Sequence, residues 1–297
     1  MRVNPNYSAD MINLMDQAQQ AEDNAAQELS TGRRVNLPSD NPAAEASMIG
    51  ENSRSAAVDQ YTANSDSLTD VLNTANSTLS SVNTLLQRAV SLGVEGATGD
   101  MNQTDLNSIA EEVSNIKSQM LSLANTSYAG HYLFGGTANS SAPYVADATN
   151  PDQIDYVGNS QQNKVQIGTG LSVSANLPGS SIFSQSGANV FDALQSLVTA
   201  LQAGNSSAIA TAQTSVSSAL SAVGTAQVFY GSTVDELSTN ETYLSQEKLN
   251  ITTYENTLVS ADTAAAATNV TQAETALSTT VAAAAKMNQV SLLDYLQ

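Results

Sequence analysis

Few residues in this chain have the chemistry of a catalyst. The single histidine, His131, stands between Gly130 and Tyr132 at an element boundary, with no second imidazole and no H-E-x-x-H pattern that would let it share a metal. Glu111 and Glu112 are adjacent, and on a helix neighbours diverge by about 100°, so the two carboxylates cannot converge on one substrate. Gly135 and Gly136 lack the strand–loop–helix setting of a phosphate cradle. There is no cysteine, which removes disulfides, thiolate metal sites and thiol nucleophiles. Catalysis finds no support, and no cofactor or metal is expected. Two other groups of residues are distinctive. Arg33 and Arg34 are adjacent in a chain with only nine basic residues, inside the stretch "ELSTGRRVNLPSDNPAA". Leu292, Leu293, Tyr295 and Leu296 form an apolar cluster at the C-terminus, and a patch of that density calls for a partner.

The elements that carry these residues are helices. Leu68, Leu72, Ala75, Leu79, Val82, Leu86 and Ala89 follow a 4-3-4-3-4-3 spacing that Tyr61 and Ser65 extend upstream. This heptad seam predicts one helix from about Asn52 to Leu92, roughly 60 Å long at 1.5 Å per residue, ended by the glycines of "GVEGATGD". Leu106, Ile109, Val113, Ile116, Met120 and Leu123 form a second seam after the capping candidates Asn102 and Thr104, and the short link makes the two helices antiparallel neighbours. Met11, Leu14, Ala18, Ala21 and Ala25 repeat the spacing weakly near the N-terminus. At the other end Leu237, Leu244, Ile251 and Leu258 recur every seven residues, with Tyr254 and Ala261 in the same seam, and Val270, Ala273, Leu277, Ala284 and Met287 continue it. No glycine or proline follows Gly231, so a helix of some sixty residues is permitted there. Shorter helices are expected near Asn189–Leu201 and Ser206–Val223. Residues 138–187 hold three of the six prolines and alternating runs such as "KVQIGTGLSVSA", which predict strands and turns.

The fold class is therefore mainly α: a long antiparallel helical coiled coil and bundle built from both termini, with a small β-rich insert. The expected boundaries are terminal helices at 1–45 and 255–297, a bundle at 46–137 and 188–254, and the insert at 138–187. Alanine-rich terminal seams bury little area, so those segments are expected to need one another and neighbouring subunits to become ordered. In the opening stretch Gly32 ends a helix, Arg33 and Arg34 sit beside its negative end, and Pro38, Ser39 and Asp40 lead to Asn41 as N-cap and Pro42 as first helical residue, with Glu45 in the positive first turn. The arginines are also candidates for intersubunit pairing with acids such as Glu45, Glu51 or Asp262. The formal charge of −19 speaks against nucleic-acid binding. No apolar run near the N-terminus reads as a signal peptide or membrane span, so an exported form is expected to leave without a cleaved signal.

Three motifs carry a resemblance. "LSTGRRVNLPSDNPAAE" (Leu29–Glu45) resembles the N-terminal signature of the flagellin superfamily, and its proline pair is closer to the hook–filament junction members than to filament flagellin. "GHYLFGGT" (Gly130–Thr137) and "KMNQVSLLDYLQ" (Lys286–Gln297) are similar to the same branch, and the likeness covers about 1–137 and 225–297. The resemblance implies export unfolded through the flagellum's own channel, an extracellular place in the bacterial flagellum, and paired terminal helices lining an axial channel. The insert would face outwards. It implies as partners other copies of the chain, a hook-associated protein on the hook side, flagellin on the filament side, and a cytoplasmic chaperone on the C-terminal segment. A filament flagellin is the alternative.

Overall fold

The computed structural model describes the backbone of residues 7–295 and the side-chain surroundings of residues 9–286. In chain order the elements are α1 (Tyr7–Thr31), α2 (Pro42–Ala97), α3 (Gln103–Ala124), β1 (Ser127–Tyr128), β2 (His131–Tyr132), β3 (Tyr144–Ala146), β4 (Ile154–Tyr156), β5 (Lys164–Gly168), β6 (Leu171–Ser174), α4 (Gly179–Ile182), β7 (Ser184–Gln185), β8 (Ala188–Asn189), α5 (Val190–Gln202), α6 (Ser206–Val259) and α7 (Thr263–Tyr295). They form two compact units, one of Met1–Ala57 with Gln246–Gln297 and one of Val58–Ser245.

The second unit holds the main core. Every residue of the α2 seam from Leu68 to Ala89 is buried, as are Leu106, Ile109, Val113, Ile116 and Met120 of α3. Ala124 takes the last α3 seam position, because the spacing of four after Met120 turns Ala124 inwards and leaves Leu123 on the flank. Asn102 caps α3, its side chain accepting the Asp105 N–H at 2.9 Å. Asn189 caps α5 in the same way.

Two helices run further than their glycines suggest. α2 continues through Gly93 and Gly96 to Ala97, since both glycines are buried where α5 and α6 come close: a methyl built on Gly96 would lie 2.5 Å from Leu201 Cδ2, and one on Gly93 3.0 Å from Gln213 Cβ. α6 passes through Gly224 and Gly231 without interruption. Its seam explains this, for Ile209, Ala212, Val216, Ala219, Val223, Ala226, Tyr230, Thr233, Leu237, Asn240 and Leu244 keep strict 3-4 spacing and are all buried, while the two glycines sit off the seam. The single helix thus replaces the two segments expected on either side of those glycines.

The strands form four separate two-stranded antiparallel hairpins: β1–β2 ahead of the insert, β3–β4 and β5–β6 inside it, and β7–β8 at its end. Such small hairpins are not stable alone, and they share a core with the helices. Phe134 and Phe183 meet edge-to-face at 5.2 Å, Tyr144 and Phe183 at 5.7 Å, and Tyr144 lies 5.2 Å from Phe191 of α5. Lys117 of α3, buried, donates from Nζ to the Asp152 carbonyl at 2.7 Å and to Gln195 Oε1 at 2.5 Å, tying the β3–β4 turn to α5.

In the first unit α1 packs along α7. The α7 seam is Ala266, Val270, Ala273, Leu277, Thr280 and Ala284, as the spacing predicts; the expected seam residue Met287 lies outside the described residues. On α1 the inward residues are Met11, Met15, Ala18, Glu22 and Ala25, so Leu14 and Ala21, expected in the seam, face outwards. Among the described residues, Ala25 on α1 and Ala266 on α7 are the only buried ones. In this unit's part of α6, Ile251 and Val259 are buried, whereas Tyr254 is 47% exposed and lies outside the seam expected of it.

Candidate assembly site

The break after α1 is built from glycine chemistry. Gly32 has φ +66°, a left-handed conformation that suits glycine, and its N–H donates to the Glu28 carbonyl at 3.0 Å. The Thr31 hydroxyl accepts the Arg33 N–H at 3.2 Å, and Asn36 Nδ2 donates to the Arg33 carbonyl at 2.7 Å. Pro38 and Ser39 then lie exposed in a turn closed by Asp40, whose Oδ2 accepts the Leu37 N–H at 2.8 Å and the Asn36 N–H at 3.0 Å. These two bonds, Leu37's first, hold the Asp40 carboxyl below its ordinary value. Asn41 is the N-cap of α2, accepting the Ala44 N–H at 3.1 Å, and Pro42 is its first helical residue. The helix-break residues Gly32 to Pro42 therefore do what their types require.

A second break lies against the first. α6 ends at Val259 and α7 starts at Thr263, so the permitted sixty-residue helix is two. Asp262 Oδ1 accepts the Ala264 N–H at 2.9 Å and the Ala265 N–H at 3.2 Å, which makes it the N-cap of α7. The sequence signal was an aspartate two residues ahead of the Ala264–Ala267 run. Arg33 and Ser260 form an antiparallel bridge, with the Arg34 N–H on the Val259 carbonyl at 2.7 Å and the Ala261 N–H on the Gly32 carbonyl at 2.9 Å. Val35 is sealed against Ala44, Met48 and Val259, with Leu258 at the edge. The breaks satisfy each other's orphan backbone groups, which explains why α6 stops where no glycine or proline stops it.

Arg34 Nη2 lies 3.4 Å from the Leu258 carbonyl, and both arginine side chains are exposed. Among the described residues neither forms an ion pair within the chain; Glu51 instead pairs with Arg54, which also meets Glu247, and Asp262 serves as a cap. Ile12, Leu14, Leu29, Leu37 and Ile49 of the same unit are exposed. Leu292, Leu293 and Tyr295 belong to the α7 backbone, but their side chains, and Leu296 altogether, lie outside the described residues. His131 sits on the β1–β2 hairpin with Tyr128 and Tyr132, in the Val58–Ser245 unit. Among the described residues no group of three or more His, Asp or Glu side chains is placed to hold a metal ion, and no helix is long and apolar enough to cross a membrane. The arrangement presents paired backbone, two exposed guanidinium groups and exposed apolar side chains.

Two weakly buried terminal helices, broken at the same level and continuing into long bundle helices, define a flagellin-type chain. Residues 3–139 match the bacterial flagellin N-terminal helical region and residues 206–296 the bacterial flagellin C-terminal helical region, and the chain belongs to the flagellin superfamily. Within it the chain is similar to flagellar hook-associated protein 3 of Escherichia coli (strain K12), with 27% identity over 90% of both chains, whereas likeness to the flagellin of Listeria innocua, 30% identical, covers 41% of this chain and 43% of that one. In solved structures the fold recurs in Bacillus cereus FlgL (24% identity, TM-score 0.60, 70% of this chain and 99% of that chain) and in the flagellar junction protein FlgL of Legionella pneumophila (15% identity, TM-score 0.61, 72% and 100%).

Proposed function

We propose that this chain is a mechanical adaptor at the hook–filament junction of the bacterial flagellum, joining a hook-associated protein on one side to flagellin on the other. The observation that carries this reading is the similarity over 90% of both chains to the hook-associated protein 3 of Escherichia coli, whereas the matches to the hook-associated protein 3 of Salmonella typhimurium (40% and 38%) and to the Listeria innocua flagellin (41% and 43%) are each confined to part of the chain. The geometry supports it. Among the described residues the α1–α7 pair buries one residue on each helix and leaves Ile12, Leu14 and Leu29 uncovered, which suits a segment completed by neighbouring copies. In this reading residues 1–45 and 255–297 make an inner coiled coil, 46–137 and 188–254 the bundle around it, and 138–187 an outward-facing insert. Arg33 and Arg34 pair with acids of adjacent subunits, which limits the repulsion of an assembly whose subunits each carry a formal charge of −19. Leu292, Leu293, Tyr295 and Leu296 serve first an export chaperone and then a subunit contact. The place of action is extracellular, on the flagellum.

Purified protein added to sheared filament fragments separates the two readings. A junction protein adds a limited layer and stops, whereas unlimited growth would make the chain a filament flagellin. Deleting the gene in the host should leave hooks without filaments and release flagellin into the medium. Arg33→Glu with Arg34→Glu should abolish addition to the seeds, and unchanged addition would remove the arginines from the interface.

A further inference from the structure

We infer that the β5–β6 hairpin is a strap that holds α2 and α6 together over a stretch of the Val58–Ser245 unit where buried polar residues interrupt the apolar seams of those helices. In α2 the seam position one turn before Leu68 is Ser65, completely buried, and its hydroxyl has no hydrogen-bond partner. The Thr69 hydroxyl, one turn on, is buried and unpartnered as well. Elsewhere on the helix Thr62, Thr74 and Thr78 each donate to the carbonyl four residues back, so Ser65 and Thr69 are exceptions. The α6 seam also turns polar, at buried Thr233 and Asn240. Polar residues therefore interrupt the seam on both helices, between buried Val58 and Leu68 on α2 and beside buried Leu237 and Leu244 on α6.

Strand β5 occupies this stretch. Asn64 Nδ2 donates to the Gln166 carbonyl at 2.8 Å, Gln166 Nε2 donates to the Tyr61 hydroxyl at 3.3 Å, and Asn240 Nδ2 donates to the Ile167 carbonyl at 2.8 Å. Successive carbonyls of an extended strand point to opposite sides. A strand whose residue-166 carbonyl reaches α2 and whose residue-167 carbonyl reaches α6 lies across the two helices. The Ile167 side chain is fully buried, and the register shift between Gln166 and Gly168 accommodates the crossing. The Asn240–Ile167 bond is buried and costly to separate, while the bonds from α2 run through the exposed Gln166, and segments whose apolar seam is interrupted open before a continuous one. The hairpin and the two helical stretches, about 58–68 and 236–245, thus behave as one opening unit, distinct from the Leu79–Leu92 core.

Hydrogen exchange on the full chain tests this without reference to flagellar assembly. In the unaltered protein the amides of 58–68 and 236–245 should lose protection at the same urea concentration as 164–174, and below that for 79–92. The Asn64→Ala/Asn240→Ala variant should speed exchange in both helical stretches at least ~10-fold while leaving 79–92 within about twofold; Ile167→Ala should act in the same direction. The strap is overturned if the helical stretches in the unaltered chain stay protected after the hairpin has opened. It is equally overturned if the double variant leaves their exchange unchanged, raises 79–92 to the same extent, or unfolds the whole chain.

Discussion

Tyr230 is buried in α6 with its hydroxyl accepting the Leu177 N–H at 3.1 Å, and burial pushes its phenol up to about 12 from an ordinary value of 10.0. Tyr144 is raised too, again by burial first. A phenol raised in the folded state favours folding while neutral. Its contribution is complete below pH 10 and declines as pH climbs through the folded value, by at most about 1.4 kcal/mol per pH unit for each tyrosine. Urea denaturation at pH 9 and pH 11 should show this loss, and Tyr230→Phe should flatten it while costing about 1 kcal/mol near neutrality. Asp40 behaves oppositely. Its lowered carboxyl supports the turn above the ordinary 3.8, and the support goes as pH falls through the folded value. Asp40→Ala should expose the Asn36 and Leu37 amides to fast exchange even at pH 7.

At the scale of elements, glycines with the same local cost have opposite meanings. Gly224 and Gly231 have open space where a side chain would stand, so Gly224→Ala should stabilise α6 by up to about 1 kcal/mol through helix propensity. Gly96→Ala would drive a methyl against Leu201, which is itself completely buried, and should destabilise by about 1–3 kcal/mol in spite of the same propensity gain. Thermal denaturation of the pair reads both signs. The seams differ as sharply. Leu79 is completely buried, and Leu79→Ala should cost about 2–5 kcal/mol. Met15 on α1 is only half-buried, and Met15→Ala should change the stability of the isolated chain by less than about 1 kcal/mol.

For the molecule as a whole, the apolar core is concentrated in Val58–Ser245, and the other unit has the small cluster of Val35, Ala44, Met48 and Val259. Stability unevenly placed in this way predicts staged loss of structure. Limited proteolysis of the dilute monomer should cut α1 and α7 first and leave a resistant fragment close to residues 58–245. Addition to filament seeds should then protect both terminal helices. Ends that resist proteolysis in the free monomer would contradict the adaptor mechanism, in which the entropy lost on ordering these segments is offset by contacts made during assembly.

What the sequence alone determined was local. The α2 seam from Leu68 to Ala89, the caps Asn102 and Asn41, the start at Pro42 and the stop at Gly32 were all legible, because apolar spacing and cap chemistry act within one or two turns of the same helix. Tertiary structure decided the rest. Whether Gly96 ends a helix or lets another helix approach depends on Leu201, over a hundred residues away. Whether α1 turns Leu14 or Met15 inwards depends on α7, since an alanine-rich stripe offers nearly equal alternatives. The stop at Ser260, with no residue that forbids a helix, exists because the backbone at Gly32–Arg34 offers its hydrogen bonds there. Helix periodicity is written in neighbouring residues, but the pairing of two breaks arises only when the chain's ends meet.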